Sequence, residues 1–495
     1  MSTLTMLITI ALLLVLVIAA VHLCQRSDPV LRIFPILGAA RTVLIALGPK
    51  LRQYLVANDS EERPFSRLDR EDVEMMSTGK ISQIAFGSRT DLVAHGHEPL
   101  LKYRTFPRLP VEGTPEAETN SAGQGSLKTM GAARQRRYQY RPASIVNISG
   151  MSFGALSGPA VETLNLAAGI AGCFQNSGEG GISDHHLHGG DLVFQIGSGY
   201  FGCRDHAGSF SISELKERLA QGPIKALEIK ISQGAKPGLG GFLPGEKVTA
   251  EIARYRGITQ GMDCASPPRH AEFWDADSLL DWVEYLADET GLPVGIKSAV
   301  GDTEFWSDLA TLMARDSRGV DYIAIDGSEG GTGAAPSVFA ESVGYPFRQA
   351  FPLVHREFRS RGIDGDVVFI GAGRLGLAAN AARAFAYGAD LVNVGRTAML
   401  SMGCIQALKC HTGHCPSGVA TQRPWLTRGI VPEAAALKVS NYLISLRKEL
   451  FAVAEACGVP HPGLLTPADL THVDGTPVDL RSTLPVPLTS VDMSA

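Results

Sequence analysis

The 495 residues carry 45 basic and 50 acidic side chains, giving a formal net charge of -5 with both signs interspersed. No basic face of the kind that holds nucleic acid follows from this balance, and no nucleic-acid partner is expected. The length accommodates a single core of about 250 to 300 residues with appended segments.

Residues 1–25 contain no charged side chain, and 4–24 are almost wholly aliphatic. A helix of that length crosses the roughly 30 Å hydrocarbon layer of a bilayer. A cleaved signal peptide is the rival reading, but no positive region precedes the apolar stretch and no small-x-small cleavage site is evident. Arg26, Arg32, Arg41 and Lys50 follow the stretch, against the single acid Asp28. The positive-inside bias therefore predicts one N-terminal span in the inner or cell membrane, in contact with lipid, and a catalytic body facing the cytoplasm. Residues 26–58 read as an interfacial or helical segment, because Pro35 and Arg41 interrupt the apolar run 33–48. Residues 59–140 read as an extension packing on the domain that follows.

Beyond residue 140, short β-branched runs alternate with helix-length stretches. Eight strands are expected at 145–149, 173–176, 192–196, 226–231, 294–298, 322–326, 367–370 and 391–394, with helical patterns such as 278–287 and 377–387. The fold class is α/β, a (β/α)8 TIM barrel over residues 141–422 with its chemistry at the C-terminal ends of the strands. A short helical tail over 423–495 is expected after it. A doubly wound sheet would place a glycine-rich dinucleotide turn after the first strand, and none follows Ile148.

The loops after strands six, seven and eight run from Asp326 through Gly327, Gly330 and Gly331, from Gly371 through Gly373 and Arg374, and across Gly395 and Arg396. Loops seven and eight of such barrels commonly take a cofactor phosphate, and glycines let backbone amides approach it closely. Lys297 interrupts an otherwise uncharged strand five and suits stabilisation of negative charge on a bound ring. Lys230, Gln233 and Lys236 offer two cations and an amide to an acidic small-molecule substrate, or hold their own loop. Asn176 and Gln195 supply the donors and acceptors a flavin edge requires, or brace their loops. His185, His186 and His188 lack a spaced carboxylate or cysteine to complete a metal site. Cys264 and His270 lack an orienting third group for nucleophilic catalysis.

Cys404, Cys410 and Cys415 form C-x5-C-x4-C with Pro416 directly after. Clustered thiolates followed by proline suit an iron-sulfur centre, and three ligands suit a three-iron cluster or a four-iron cluster lacking one protein ligand. Zinc stays open as an alternative through His411 and His414, although the spacing is wide for a zinc knuckle.

Five segments in order, 149–157, 176–181, 230–238, 326–333 and 404–422, make residues 141–422 resemble the FMN-binding glutamate synthase-related family, the synthase domain of the glutamate synthase large subunit. The resemblance implies FMN at the barrel mouth. Ser149, Gly150, Met151 and Ser152 would lie along the ring, and Gln195 and Lys297 would contact it. Gly371, Gly373, Gly395 and Arg396 would hold its phosphate, and the three cysteines would bind a [3Fe-4S] cluster rather than a [4Fe-4S] cluster. It also implies glutamate synthase-like imine or amine redox chemistry, with reductive amination of 2-oxoglutarate by free ammonia as one version. Ferredoxin, a flavoprotein subunit or a quinone would serve as electron partner. Two departures bear on the substrate. Leu239 stands where the family has an acid after Lys-Pro-Gly, and Met1 opens an apolar helix where the parent enzymes begin with a glutaminase domain. An electron-relay or scaffold subunit without its own turnover is the alternative.

Overall fold

Ser2 starts helix α1 (Thr3–Cys24) by accepting a hydrogen bond from the Thr5 N–H. No residue of this helix is buried, and its 22 residues, with a mean hydropathy of 3.0 over an 18-residue window, make it long and apolar enough to cross a membrane. An N-terminal signal helix meets the same criteria. Helix α2 (Leu37–Leu51) covers most of the second apolar run, so Arg41 does not end it. The computed structural model describes residues 2–25, 33–56, 58–80, 83–89, 91–93, 98–107 and 125–480. Two compact units are present, residues 1–70 and 71–495. Parts of the expected 26–58 segment, the 59–140 extension and the C-terminal tail lie outside the described residues.

The second unit is built on eight parallel strands: β1 (Val146–Ile148), β2 (Phe174–Asn176), β3 (Asp191–Ile196), β4 (Ile224–Lys230), β5 (Val294–Ser298), β6 (Tyr322–Asp326), β7 (Val368–Ala372) and β8 (Leu391–Val394). They pair in chain order, and β8 returns to β1 to close the barrel. This is the TIM barrel expected from the strand count. Helices α3 (Gly158–Ala171), α4 (Ile212–Leu219), α5 (Ala276–Thr290), α6 (Glu304–Arg315), α7 (Phe347–Arg359) and α8 (Ala378–Ala386) lie on the crossovers. The β2–β3 crossover holds only the short turn Asp184–His186. After β8 come α9 (Arg396–Ser401) and α10 (Pro432–Ala456), and α10 packs on α3, α8 and α9.

Local sequence dictates these elements. In α5, Asp275 caps the first turn through the Ser278 N–H at 2.8 Å, and Gly291 ends the helix at φ 75°. Between them Leu279, Leu280, Val283 and Leu286 are fully buried, an apolar stripe of helical spacing. Each such side chain contributes about 1.5 to 3 kcal/mol of burial free energy. Inside the barrel, Tyr322 occupies the space Gly295 leaves empty, since a Cβ on that glycine would lie 2.4 Å from the ring. The Tyr322 hydroxyl donates to the Leu227 carbonyl at 2.8 Å.

The strand N-termini are closed by ion pairs. Arg136 donates through Nε to Asp321 at 3.0 Å, and through Nη2 to Glu284 at 2.8 Å and to the Gly319 carbonyl at 3.0 Å. Asp321 also receives the Val294 N–H at 2.8 Å, and Glu284 the Gly319 N–H at 2.9 Å. Lys128 repeats the device below β7 and β8, reaching Asp390 at 2.9 Å and the Val367 carbonyl at 3.0 Å.

Candidate active site at the strand C-termini

Strand register places Lys230 of β4 directly beside Lys297 of β5. Two adjacent ammonium groups repel one another, and each is held by its own anion. Lys230 Nζ lies 2.8 Å from Glu179, which belongs to the loop after β2, and Lys297 Nζ lies 3.5 Å from Asp326 at the end of β6. Asp326 also accepts the Gly234 N–H at 3.1 Å. Burial would raise the pKa of Glu179, but Lys230, Lys236 and Arg256 outweigh it and hold the carboxyl below the usual range. Lys236 is buried too, and burial followed by the charge of Lys230 lowers its pKa. Gln233 stays half-buried on the same loop.

Glu228, two residues before Lys230, was not singled out from the sequence. It is 1% exposed, and one of its oxygens accepts from Asn176 Nδ2 at 2.8 Å and from Gln195 Nε2 at 2.7 Å. Burial pushes its pKa up, against the pull of Lys297 and the two amides. Gly150 backs directly onto these amides: a Cβ there would lie 2.8 Å from Asn176 Oδ1 and 2.9 Å from Gln195 Nε2. The first loop can approach them only without a side chain at that position.

On the opposite wall, Gly373 turns the loop after β7 at φ 110°, and Arg374 follows at φ 58°, a left-handed conformation uncommon outside glycine. Arg396 crosses to donate to the Glu329 carbonyl, and its stem fills the space beside Gly331. Gly327 and Gly330 turn the loop after β6 through a 2.8 Å backbone bond, and Gly371 lies in β7 itself. From behind, buried Tyr442 of α10 pins both phosphate-type loops, donating to the Gly376 carbonyl at 2.7 Å with Thr397 Oγ1 2.8 Å away. A side chain at Gly395 would meet nothing closer than Met151 Sδ and Ser149 Cβ at 3.7 Å, so space lies open between β8 and the first loop. A lysine, a pair of amide side chains, glycine loops and two arginines around open space fit a planar ring carrying a phosphate. The residues present fit FMN.

The cysteine loop is tied to the first loop. Buried Lys247 donates to the Ala155 carbonyl at 2.9 Å and the Cys410 carbonyl at 3.3 Å. Gln422 donates to the Gly154 carbonyl at 3.1 Å and the Leu156 carbonyl at 2.8 Å. Cys404, Cys410 and Cys415 are near enough to perturb one another, and burial followed by the neighbouring thiols raises Cys404 to about 11. Among the described residues no three His, Cys, Asp or Glu side chains are grouped closely enough to hold a metal ion. The donor chemistry suits iron; the spacing of the side chains does not present a formed site.

The remaining candidates stay apart. Cys264 Sγ receives Arg256 at 3.7 Å, whereas His270 Nε2 lies 2.9 Å from the Lys230 carbonyl, so the two engage different partners. His185 stands between Glu251 at 3.2 Å and Glu162 at 3.7 Å, and His186 is fully buried with Nδ1 accepting the Ser183 N–H at 3.1 Å. His411 and His414 are exposed.

The pattern described as the conserved region in glutamate synthase matches residues 128–460. The chain is similar to the glutamate synthase large subunit-like protein YerD of Bacillus subtilis, with 37% identity over 467 residues and 88% of each chain covered. It is 36% identical over 318 residues to an archaeal glutamate synthase (NADPH) of Methanocaldococcus jannaschii, covering 63% of this chain and 59% of that one. A glutamate synthase large subunit-like protein of Rhizobium meliloti is 30% identical over 398 residues, with 76% and 84% covered. The chain thus spans most of the two large subunit-like proteins and about three fifths of the archaeal enzyme. By the family pattern and the reach of these likenesses, it belongs to the glutamate synthase family.

Proposed function

We propose that this chain is an FMN-dependent oxidoreductase with glutamate synthase-like imine or amine redox chemistry. One observation carries the reading: a buried lysine, Lys297, stands in a barrel mouth whose β7 and β8 loops are glycine turns bearing Arg374 and Arg396. FMN bound there supplies two-electron exchange with a carbon–nitrogen bond. Gly371, Gly373, Arg374, Gly395 and Arg396 hold the phosphate, and residues 149–152 lie along the ring. Lys297 stabilises negative charge on the ring edge in a water-poor site, where a fixed cation acts most strongly. Glu179 neutralises Lys230 at 2.8 Å, which leaves Lys236 as the cation for a substrate carboxylate. Because burial lowers its pKa, Lys236 Nζ is also suited to give a proton to substrate nitrogen.

Helix α1 anchors the protein in the membrane with its body facing the cytoplasm, and Cys404, Cys410 and Cys415 bind a [3Fe-4S] cluster that exchanges single electrons with ferredoxin, a flavoprotein subunit or a quinone. The cysteine spacing, the hydrogen bonds joining that loop to the first loop and the basic residues after α1 support this part. Anaerobic purification in detergent with FMN, iron and sulfide quantitation tests it. Iron and acid-labile sulfide should be present, and C415S should lose both while keeping FMN. Mixing the reduced protein with 2-oxoglutarate and ammonia, then with other keto acids, imines and secondary amines, tests the substrate class. Reoxidation of the flavin by one of them is expected. Failure with all would favour the relay or scaffold alternative, for which Leu239 is the motivating departure.

A further inference from the structure

Burying a carboxylate is costly unless it is paired and hydrogen-bonded. Glu228 is 1% exposed, yet it is not needed as the partner of either lysine, because Lys230 is met by Glu179 and Lys297 by Asp326. Its hydrogen bonds go instead to the NH2 groups of Asn176 and Gln195, both on one oxygen. Asn and Gln amides can turn over and exchange donor for acceptor, and the single Glu228 oxygen between them accepts from both NH2 groups. Glu228 therefore sets the sense of both amides. Asn176 Oδ1 is used by the Gly178 N–H at 3.0 Å, while Gln195 Oε1 takes part in none of the described side-chain hydrogen bonds. Register reinforces the arrangement, since Gln195 and Glu228 are direct neighbours across β3 and β4, and Gly150 closes over the amides from above.

We propose that Glu228 is a positioning residue for ring recognition: it fixes Gln195 so that a carbonyl oxygen, an acceptor, faces the bound ring and selects a ring bearing an N–H. This rests on the FMN reading above, and oxidised FMN has one such group, the N3–H between its two carbonyls. An inverted Gln195 would present NH2 to that N–H and set donor against donor.

The test is fluorescence titration of the flavin-free full chain in detergent with FMN and with N3-methyl-FMN, in the wild type, E228L and Q195L. The wild type should prefer FMN by about 10-fold, the worth of one good hydrogen bond. In E228L the preference should fall to about 2-fold or less, because the amide is then free to turn. A merely structural Glu228 would weaken both flavins alike and leave the preference unchanged, which would overturn the proposal. If E228L does not fold, Q195L decides: losing the acceptor must erase the preference, and a retained preference contradicts the assignment. Wild-type protein that binds both flavins equally overturns this inference alone, and wild-type protein that binds neither overturns it together with the FMN reading.

Discussion

The two ends of the barrel bury charge in opposite ways. At the strand N-termini the acids are answered more than once: Arg136 reaches Asp321, Glu284 and the Gly319 carbonyl, and the Val294 and Gly319 N–H groups add to the same carboxylate oxygens, while Arg134 Nε beside them makes no hydrogen bond among the described residues. At the C-termini the two lysines are paired, but the groups around them are not all used. Lys297 stands 3.5 Å from Asp326, Gln195 keeps an unused oxygen, and space lies open beside Gly395. The first network ties the strand ends and crossovers together, whereas the second borders open space that a ligand can fill, in keeping with the division of labour in this architecture.

Breaking the closed end should have the largest effect. Asp321→Ala removes the buried acceptor of Arg136 Nε and of the Val294 N–H and should cost about 3 to 5 kcal/mol, read by chemical denaturation, without altering FMN affinity in the protein that remains folded. At the open end the consequence should reverse. Lys297→Met should lower turnover by about 100-fold, measured by stopped-flow flavin absorbance, and shift the unfolding midpoint far less than Asp321→Ala. Equal destabilisation by the two would dissolve the distinction between the ends. Arg396→Gln should weaken FMN about 10-fold through one lost charge-assisted contact, while riboflavin, which has no phosphate, binds as before.

A separate effect concerns pH. Burial lowers His186, His270, His355 and His461 from the ordinary 6.5 to about 4. Each ring is neutral when folded and takes up a proton on unfolding, so stability is full above about pH 6.5 and declines towards pH 4. Each contributes at most about 1.4 kcal/mol per pH unit. Thermal melts across that window should show the decline. His355→Phe, at a half-buried ring packed on the fully buried Phe351 and Phe369, should make it shallower without touching FMN binding.

Much of the barrel was legible because its strands are short apolar runs bounded by polar or glycine-rich loops. β5 and β6 fall at 294–298 and 322–326 as expected. β7 extends two residues further than expected, through Gly371 and Ala372, because pairing with β6 overrides the usual reading of glycine as a turn. β4 begins earlier, at Ile224, because Ile224 pairs with Leu192 of β3 across a register shift that leaves Lys225 as the extra residue. Glu228 stayed hidden because its partners are 33 and 52 residues away in sequence, and an acid in Ala-Leu-Glu-Ile-Lys reads as a solvated rim position. Arg136 and Asp321, 185 residues apart, were hidden for the same reason. The glycine loops and Lys297 were visible, since each breaks a local pattern; closure of the barrel alone brings the others together.

The most direct measurement is the flavin content of the full chain purified in detergent. The account predicts a yellow protein that releases stoichiometric FMN, identified by its phosphate, on denaturation, and takes it up again when refilled. A folded, colourless protein that does not quench FMN fluorescence at any accessible concentration would contradict it.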